Sequence, residues 1–314
     1  MAVWLATKTL DAINKAICAD EGATFRKYQG QVLPHMADAY SEEQDAHRSH
    51  LGASVIGGAC DRAIYYGHRW AVKRSPRGKA REDAVSAESR MRRLWNRGHL
   101  EEGRFIAMLL SAGIQVYQQD ETGKQIRISN LGGHFSGSLD AVLKMLPDLP
   151  ADVPALGEFK THSDDSFDKL LADGVRISKP EHYVQMQEYM HHKELLYGLY
   201  LAINKNTEAL YGEIVQYDRG TAERFLDRAR AIIFAEDAPE RIRGASPGFF
   251  VCRYMCDFKE VCYNTIKPLV NCRTCQYIKP LEEGGWVCRQ TGALLDKQDQ
   301  EAGCGQYKQA KGMK

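Results

Sequence analysis

"GEFKTH", residues 157–162, decides how the chain is read. Alternate side chains of a strand share a face, so Glu158 and Lys160 point into the same space. On a solvated face they make an ordinary ion pair, and half-exposed strands are usual. On a buried face, two charges need a chemical reason to be there.

Upstream lies Asp140 in "FSGSLDAVL", an acid among Leu139, Ala141 and Val142. Two carboxylates on adjacent strands repel each other and normally mean a shared cation. An oxygen-rich, histidine-poor donor set suits Mg²⁺ or Mn²⁺. A lysine beside them could orient a water or offset charge in a phosphoryl transition state. Downstream, Gln185 and Tyr189 in "QMQEY" are four residues apart, on one face of a helix.

The surrounding pattern is mixed. Residues 1–45 read as one or two helices, and 50–74 as a Gly-rich turn and then a helix. A basic loop (74–80) precedes a long helix over 86–112 that stops at Gly113. Four candidate strands follow in "IQVYQQD", "KQIRIS", "HFSGSLDAVLKML" and "PALGEFKTH". A second long helix is expected over 179–204, then a strand in "ALYGEIVQYD" and a helix over 220–235. This order describes an α/β fold around a mixed central sheet flanked by helices. No GxxxxGK[ST] motif occurs, which excludes P-loop nucleotide hydrolysis.

Asp140, Glu158 and Lys160, with Gln185 and Tyr189 behind them, resemble the PD-(D/E)XK (restriction-endonuclease-like) nuclease superfamily. The Q-x-x-x-Y element is typical of its RecB/AddB/Cas4-like branch. That branch usually carries G-x-x-x-H on its first core helix; here Gly98 is followed by Glu102, with His99 next to the glycine. The resemblance makes Glu102 the helix-borne ligand, with His99 as the alternative. It implies a Mg²⁺- or Mn²⁺-dependent deoxyribonuclease. Glu102, Asp140, Glu158 and the Phe159 carbonyl would hold the ion, Lys160 would assist an activated water, and Gln185 and Tyr189 would orient substrate or Lys160. DNA ends are the expected partner, with a stand-alone phage-type exonuclease of DNA recombination as the first form. Rival forms are a Cas4-like end-trimming subunit working with recombination or replication proteins, and a non-catalytic DNA-binding protein with structural metal sites.

Seven of the nine cysteines lie between Cys252 and Cys304, and clustered thiols without a signal peptide favour metal over disulfides. "CDRAIYY" at Cys60 resembles an element near the start of Cas4-like and AddB-like nucleases. That resemblance joins Cys60 to Cys252, Cys256 and Cys262 around a [4Fe–4S] cluster. Here the spacing is C-x3-C-x5-C against the family's C-x2-C-x5-C. Zinc is the alternative occupant of four thiolates. Such a set would staple both ends of the nuclease around its sheet. Cys272, Cys275, Cys288 and Cys304 fit a small zinc-ribbon-like module holding Zn²⁺. A tail of this size needs such a staple to fold. Cys18 is left over as an ordinary thiol.

The expected division is a helical segment at 1–49, a nuclease core at 50–265 and a Cys-rich module at 266–314. Net charge is only +1, but residues 62–104 hold twelve Lys/Arg against five Asp/Glu, a stretch able to meet phosphates. Within it Tyr65, Tyr66, Trp70 and Trp95 could stack bases or fill the core, and Arg62 could contact a phosphate. Of His162, His182, His191 and His192 only His162, two residues past Lys160, shares the strand face of interest. No apolar run reaches the ~18–20 residues of a membrane span, so a cytoplasmic protein of a bacterium or phage-infected host is expected. Oligomeric state leaves no motif.

Overall fold

The computed structural model describes residues 2–41, 47–73, 83–242 and 244–313; the basic loop at 74–80 lies outside them. The chain forms two compact units, each discontinuous in sequence. They cut across the divisions expected at residues 49 and 265.

The first unit comprises 1–44, 75–128 and 138–219. It holds α1 (Thr7–Ala19), α2 (Ala23–Val32), α3 (Ala84–Ser111), β1 (Gln115–Tyr117), β2 (Ala141–Lys144), β3 (Ala155–His162), α4 (Asp164–Ser178), α5 (Pro180–Lys193), β4 (Tyr197–Asn204) and β5 (Leu210–Gln216). The strands form one five-stranded sheet in chain order, mixed because β3 and β4 run parallel while the other pairs are antiparallel. A parallel pair cannot be closed by a hairpin, and α4 and α5 supply the crossover.

Strand alternation then sorts the chemistry. Phe159, Leu199, Leu201 and Ile203 point to one face and join Ile13, Phe105, Ile106 and Leu109 in the apolar core. The rings of Phe105 and Phe159 stack there at 5.3 Å. The alternate positions, Glu158, Lys160 and His162 of β3 and Tyr200 of β4, share the other face, against which α4 and α5 pack. Helix α3 is capped by Asp83, whose side chain accepts from the Ser86 amide at 3.0 Å. It ends at Ser111, with Gly113 at φ +79° just beyond.

Three expectations change. The helix expected over 179–204 stops at Lys193, where Glu194 turns left-handed, and Tyr197–Asn204 is a central strand paired on both sides. A strand buried on both faces is an unbroken apolar run, which periodicity cannot separate from a buried helix. "HFSGSLDAVLKML" divides into strands Phe135–Ser138 and Ala141–Lys144, leaving Asp140 at the break. Helix α4 was not anticipated, although Ser163 followed by Asp164 and Asp165 is an N-terminal signal. It kinks at Gly174 (φ 69°, ψ 177°), a conformation close to glycine's own. The Val175 amide beside the kink is taken by Glu213 Oε2 at 2.8 Å.

The second unit comprises 45–74, 129–137 and 220–314. Helix Asp61–His68 buries Tyr65 and Tyr66, and Trp70 follows it into the core, so these three are packing residues, unavailable to bases. Arg62 is also committed. Its guanidinium donates to Tyr66 Oη (2.8 Å), to the Pro239 carbonyl (2.6 Å) and to the Gly312 carbonyl, which removes the expected phosphate contact. Near the C-terminus, strands Ile278–Pro280, Trp286–Cys288 and Leu294–Leu295 form an antiparallel sheet. Helix Lys297–Ala302 follows, started by a reciprocal cap between Asp296 and Asp299.

That C-terminal segment is fixed to the rest of its unit by a buried arginine. Arg273 lies between the indoles of Trp70 (4.1 Å) and Trp286 (4.2 Å). It donates to Gln300 Oε1 (2.7 Å), Ser49 O (2.7 Å) and His68 O (3.1 Å). A planar guanidinium suits this place because it stacks on two rings while its edge donors reach three oxygens. Among the described residues no helix is long and apolar enough to cross a membrane.

Candidate active site

The site is built where β2 begins beside the middle of β3. Asp140 precedes β2, and its Oδ2 accepts from the Phe159 amide at 2.7 Å, which fixes the carboxylate against the neighbouring strand. Glu102 comes from α3, one turn before Phe105, and its side chain shares a hydrogen bond with Asp140. Two carboxyls in hydrogen-bond contact cannot both be ionised without a cation or a proton between them. Burial first, and then Asp140, push the Glu102 carboxyl up to about 9.

Glu158 is fully buried, and Lys160 is one-quarter exposed. The two alternatives raised by their spacing both hold: the face is buried, and Lys160 Nζ also pairs with Glu158 Oε1. The other oxygen, Oε2, is buried without a hydrogen-bond partner. Burial pushes Glu158 up to about 7, with Lys160 opposing the shift and Asp140 adding to it. For Lys160 burial favours the neutral amine, but Glu158 and Asp140 outweigh it and raise its pKa, so the ammonium persists.

On α5, Gln185 Nε2 donates to Tyr189 Oη at 3.3 Å, and both side chains are buried. Burial and then Glu158 and Asp140 raise the Tyr189 pKa, which keeps the phenol protonated and places it within the field of the carboxylates. His99 is half-buried one turn before Glu102. The structure therefore brings Glu102, Asp140, Glu158, Lys160 and Tyr189 together, with Gln185 behind Tyr189.

Sequence reasoning missed a polar cluster beside Lys160. The Tyr200 hydroxyl lies 2.8 Å from both His162 Nε2 and His182 Nδ1, while His162 Nδ1 meets Ser166 Oγ at 3.1 Å. Burial first and nearby lysines second push His162 down to about 4 and His182 to about 3, so both imidazoles are neutral. Tyr200 was hidden because residues 195–204 read as helix. Glu188 was passed over too: both its carboxyl oxygens are buried without a hydrogen bond, and burial alone raises its pKa to about 8. His191 and His192, read as solvated, are half-buried, with Nδ1 of each on Tyr217 Oη (2.6 Å) and Glu188 O (2.8 Å).

The donor chemistry fits a hard divalent cation: three carboxylates, one with an unsatisfied buried oxygen and two pressed together. The thiols also group. Cys60, Cys252, Cys256 and Cys262 line one small pocket of about 20 Å³ in the second unit, with Tyr66, Phe258 and Tyr263. Burial raises the Cys256 thiol, and Cys60, Cys252 and Cys262 push the same way. Burial raises Cys272 to about 11, with Cys304, Cys275 and Cys288 adding to the shift. Among the described residues, no three His, Cys, Asp or Glu side chains stand close enough together, as they are placed, to hold a metal ion. All four cysteines of the first group belong to the second unit.

No family model matches the chain, and no curated protein matches it. Among solved structures it is similar to SSO0001 (15% identical, TM-score 0.37, covering 76% of this chain and 97% of that one). It is also similar to LHK-Exo in complex with dAMP (14%, TM-score 0.37, 59% and 86%). A third is an alkaline exonuclease, LHK-Exo, from Laribacter hongkongensis (13%, TM-score 0.36, 66% and 90%). These superpositions are loose, and the site stands on its own geometry.

Proposed function

We propose that the chain is a metal-dependent DNA nuclease of the PD-(D/E)XK type, in the RecB/AddB/Cas4-like branch. The observation that carries this reading is the meeting of Glu102, Asp140, Glu158 and Lys160 beside the central strand of a mixed sheet. Glu102, Asp140 and Glu158 would hold Mg²⁺ or Mn²⁺, with the Phe159 carbonyl as a further oxygen ligand. The ion would supply Lewis-acid polarisation of the phosphate and a more acidic water.

The chain's own groups do the rest. Lys160 keeps a positive charge against the carboxylates, placed to offset negative charge that grows on the phosphoryl oxygens. Tyr189 stays protonated and donates to substrate or holds Lys160 in place, with Gln185 fixing its hydroxyl. In the second unit, Cys60, Cys252, Cys256 and Cys262 are proposed to hold a [4Fe–4S] cluster, and Cys272, Cys275, Cys288 and Cys304 a zinc ion.

A Mn²⁺-dependent digestion of end-labelled single- and double-stranded DNA tests the activity. Cleavage by the wild type under reducing, anaerobic conditions, lost in Lys160→Ala, is expected. Absence of wild-type cleavage, or undiminished cleavage by Lys160→Ala, would refute it. Absorption near 400 nm in anaerobic protein reports the cluster; colourless protein carrying only zinc overturns that assignment.

A further inference from the structure

Helix α3 changes character along its length. Its C-terminal half is core, whereas Arg92 to Arg97 is exposed at every position. Leu94 is 37% exposed and Trp95 49%, in a chain whose Trp70 and Trp286 are 2% and 3% exposed. An indole left in solvent beside arginines is the combination that binds nucleic acid strands, because rings stack bases and guanidinium groups meet phosphates.

The charge on this segment is cancelled only in part. Arg92 pairs with Glu88. Arg93 bonds the neutral Ser89 Oγ (2.6 Å), which leaves its charge for an anion, while Arg97 bonds the Lys205 carbonyl (2.9 Å) and also acts on Glu101. A polyanion is therefore the complementary occupant.

Position along the helix then ties the indole to the carboxylates. Trp95 and Glu102 are seven residues apart, about two turns, so they lie on the same stripe about 10 Å apart. Between them sits Gly98, beside which a Cβ would meet nothing within 4 Å. The stripe is thus open, and its length equals about three nucleotides at B-form rise, fewer for an extended strand.

We propose that Trp95 is a base-stacking platform for single-stranded DNA, which runs along the Trp95–Gly98–Glu102 stripe into the carboxylate site. This rests on the nuclease reading and specifies its substrate as an unpaired strand, since a base inside a duplex offers no free face to stack. The arginines flanking the stripe hold the phosphates, and the indole sets the register of the strand against Glu102.

The test is equilibrium binding of a labelled single-stranded oligonucleotide to the full chain in EDTA, where no cleavage interferes. Trp95→Ala should weaken binding about 5- to 150-fold, the worth of one aromatic–base stack. Trp95→Phe should recover most of it, because any aromatic face stacks. With Mn²⁺, Trp95→Ala should raise KM for single strands. Equal affinity of wild type and Trp95→Ala overturns the platform, as does a wild type that binds no single strand. So does a Trp95→Ala protein whose defect is a change of oligomeric state on size-exclusion chromatography, since the occupant is then a second copy of the chain. Mn²⁺-dependent cleavage of single- and double-stranded DNA by the wild type, measured alongside, reports separately whether the nuclease reading stands.

Discussion

Replacing Glu102 by glutamine should stabilise the metal-free protein while removing its activity. The Glu102 carboxyl is pushed from 4.5 to about 9 by burial and by contact with Asp140. An acid whose pKa is raised on folding binds its proton more tightly in the native state. The resulting penalty is absent below about pH 4.5, grows as pH rises and is complete above about pH 9. At 1.36 kcal/mol per unit, it amounts to about 1 kcal/mol at pH 5 and about 4 kcal/mol at pH 7.5. Glutamine keeps the shape and the hydrogen bond to Asp140 but never carries the charge. Glu102→Gln should therefore gain about 3 kcal/mol on the wild type between pH 5 and pH 7.5. Urea unfolding of both proteins in EDTA at the two pH values measures this directly.

Adding Mn²⁺ should reverse the order. The ion stabilises whichever protein binds it, in proportion to its affinity, and Glu102→Gln has lost one carboxylate. A glutamine variant whose advantage is the same at pH 5 and pH 7.5 would refute the crowding of Glu102 against Asp140. So would one that is less stable at the higher pH.

Mn²⁺ binding should release between one and two protons at pH 7, because Glu102 (about 9) and Glu158 (about 7) must ionise to become ligands. Calorimetry in two buffers of different ionisation enthalpy counts them, and zero release contradicts both assignments. Arg273→Lys should destabilise the second unit by about 3 kcal/mol or more. Lysine cannot reach three oxygens while lying between two indoles, and unfolding followed by tryptophan fluorescence reads the loss. Gly132→Ala should cost at least as much, because its Cβ would stand 2.4 Å from the Gly284 amide nitrogen and 2.5 Å from the Glu282 carbonyl. Backbone must move to admit it, so unchanged stability would place the 281–285 turn elsewhere.

Much of the candidate site was legible because its residues carry local meaning. E-x-K on a strand puts two charges on one face wherever the strand lies, and Q-x-x-x-Y on a helix aligns its pair in the same way. What stayed hidden depends on long-range pairing. Tyr200 acquires its place only because Glu158 lies opposite it across a parallel ladder. The Tyr197–Asn204 segment, without a charged residue and polar only at Asn204 and the tyrosine hydroxyls, gives no periodicity from which to infer that ladder. The two units were equally hidden. Their discontinuous make-up is set by contacts such as Arg273 with Ser49 and His68, more than 200 residues away in sequence.

The distribution of ligands between the units bears on how the thiols are interpreted. Glu102, Asp140, Glu158 and Lys160 all belong to the first unit, and eight of the nine cysteines to the second. The cluster proposed on Cys60, Cys252, Cys256 and Cys262 would close a loop of about 200 residues. Its stabilisation comes from restricting the unfolded chain over that length, which includes the whole mixed sheet. The separate placement also follows from charge. Thiolates near Glu102 would add negative charge to a carboxyl that burial and Asp140 already push up, and a soft-metal site would compete for a hard cation. Keeping sulfur donors in one unit and oxygen donors in the other would let each proposed set select its own metal.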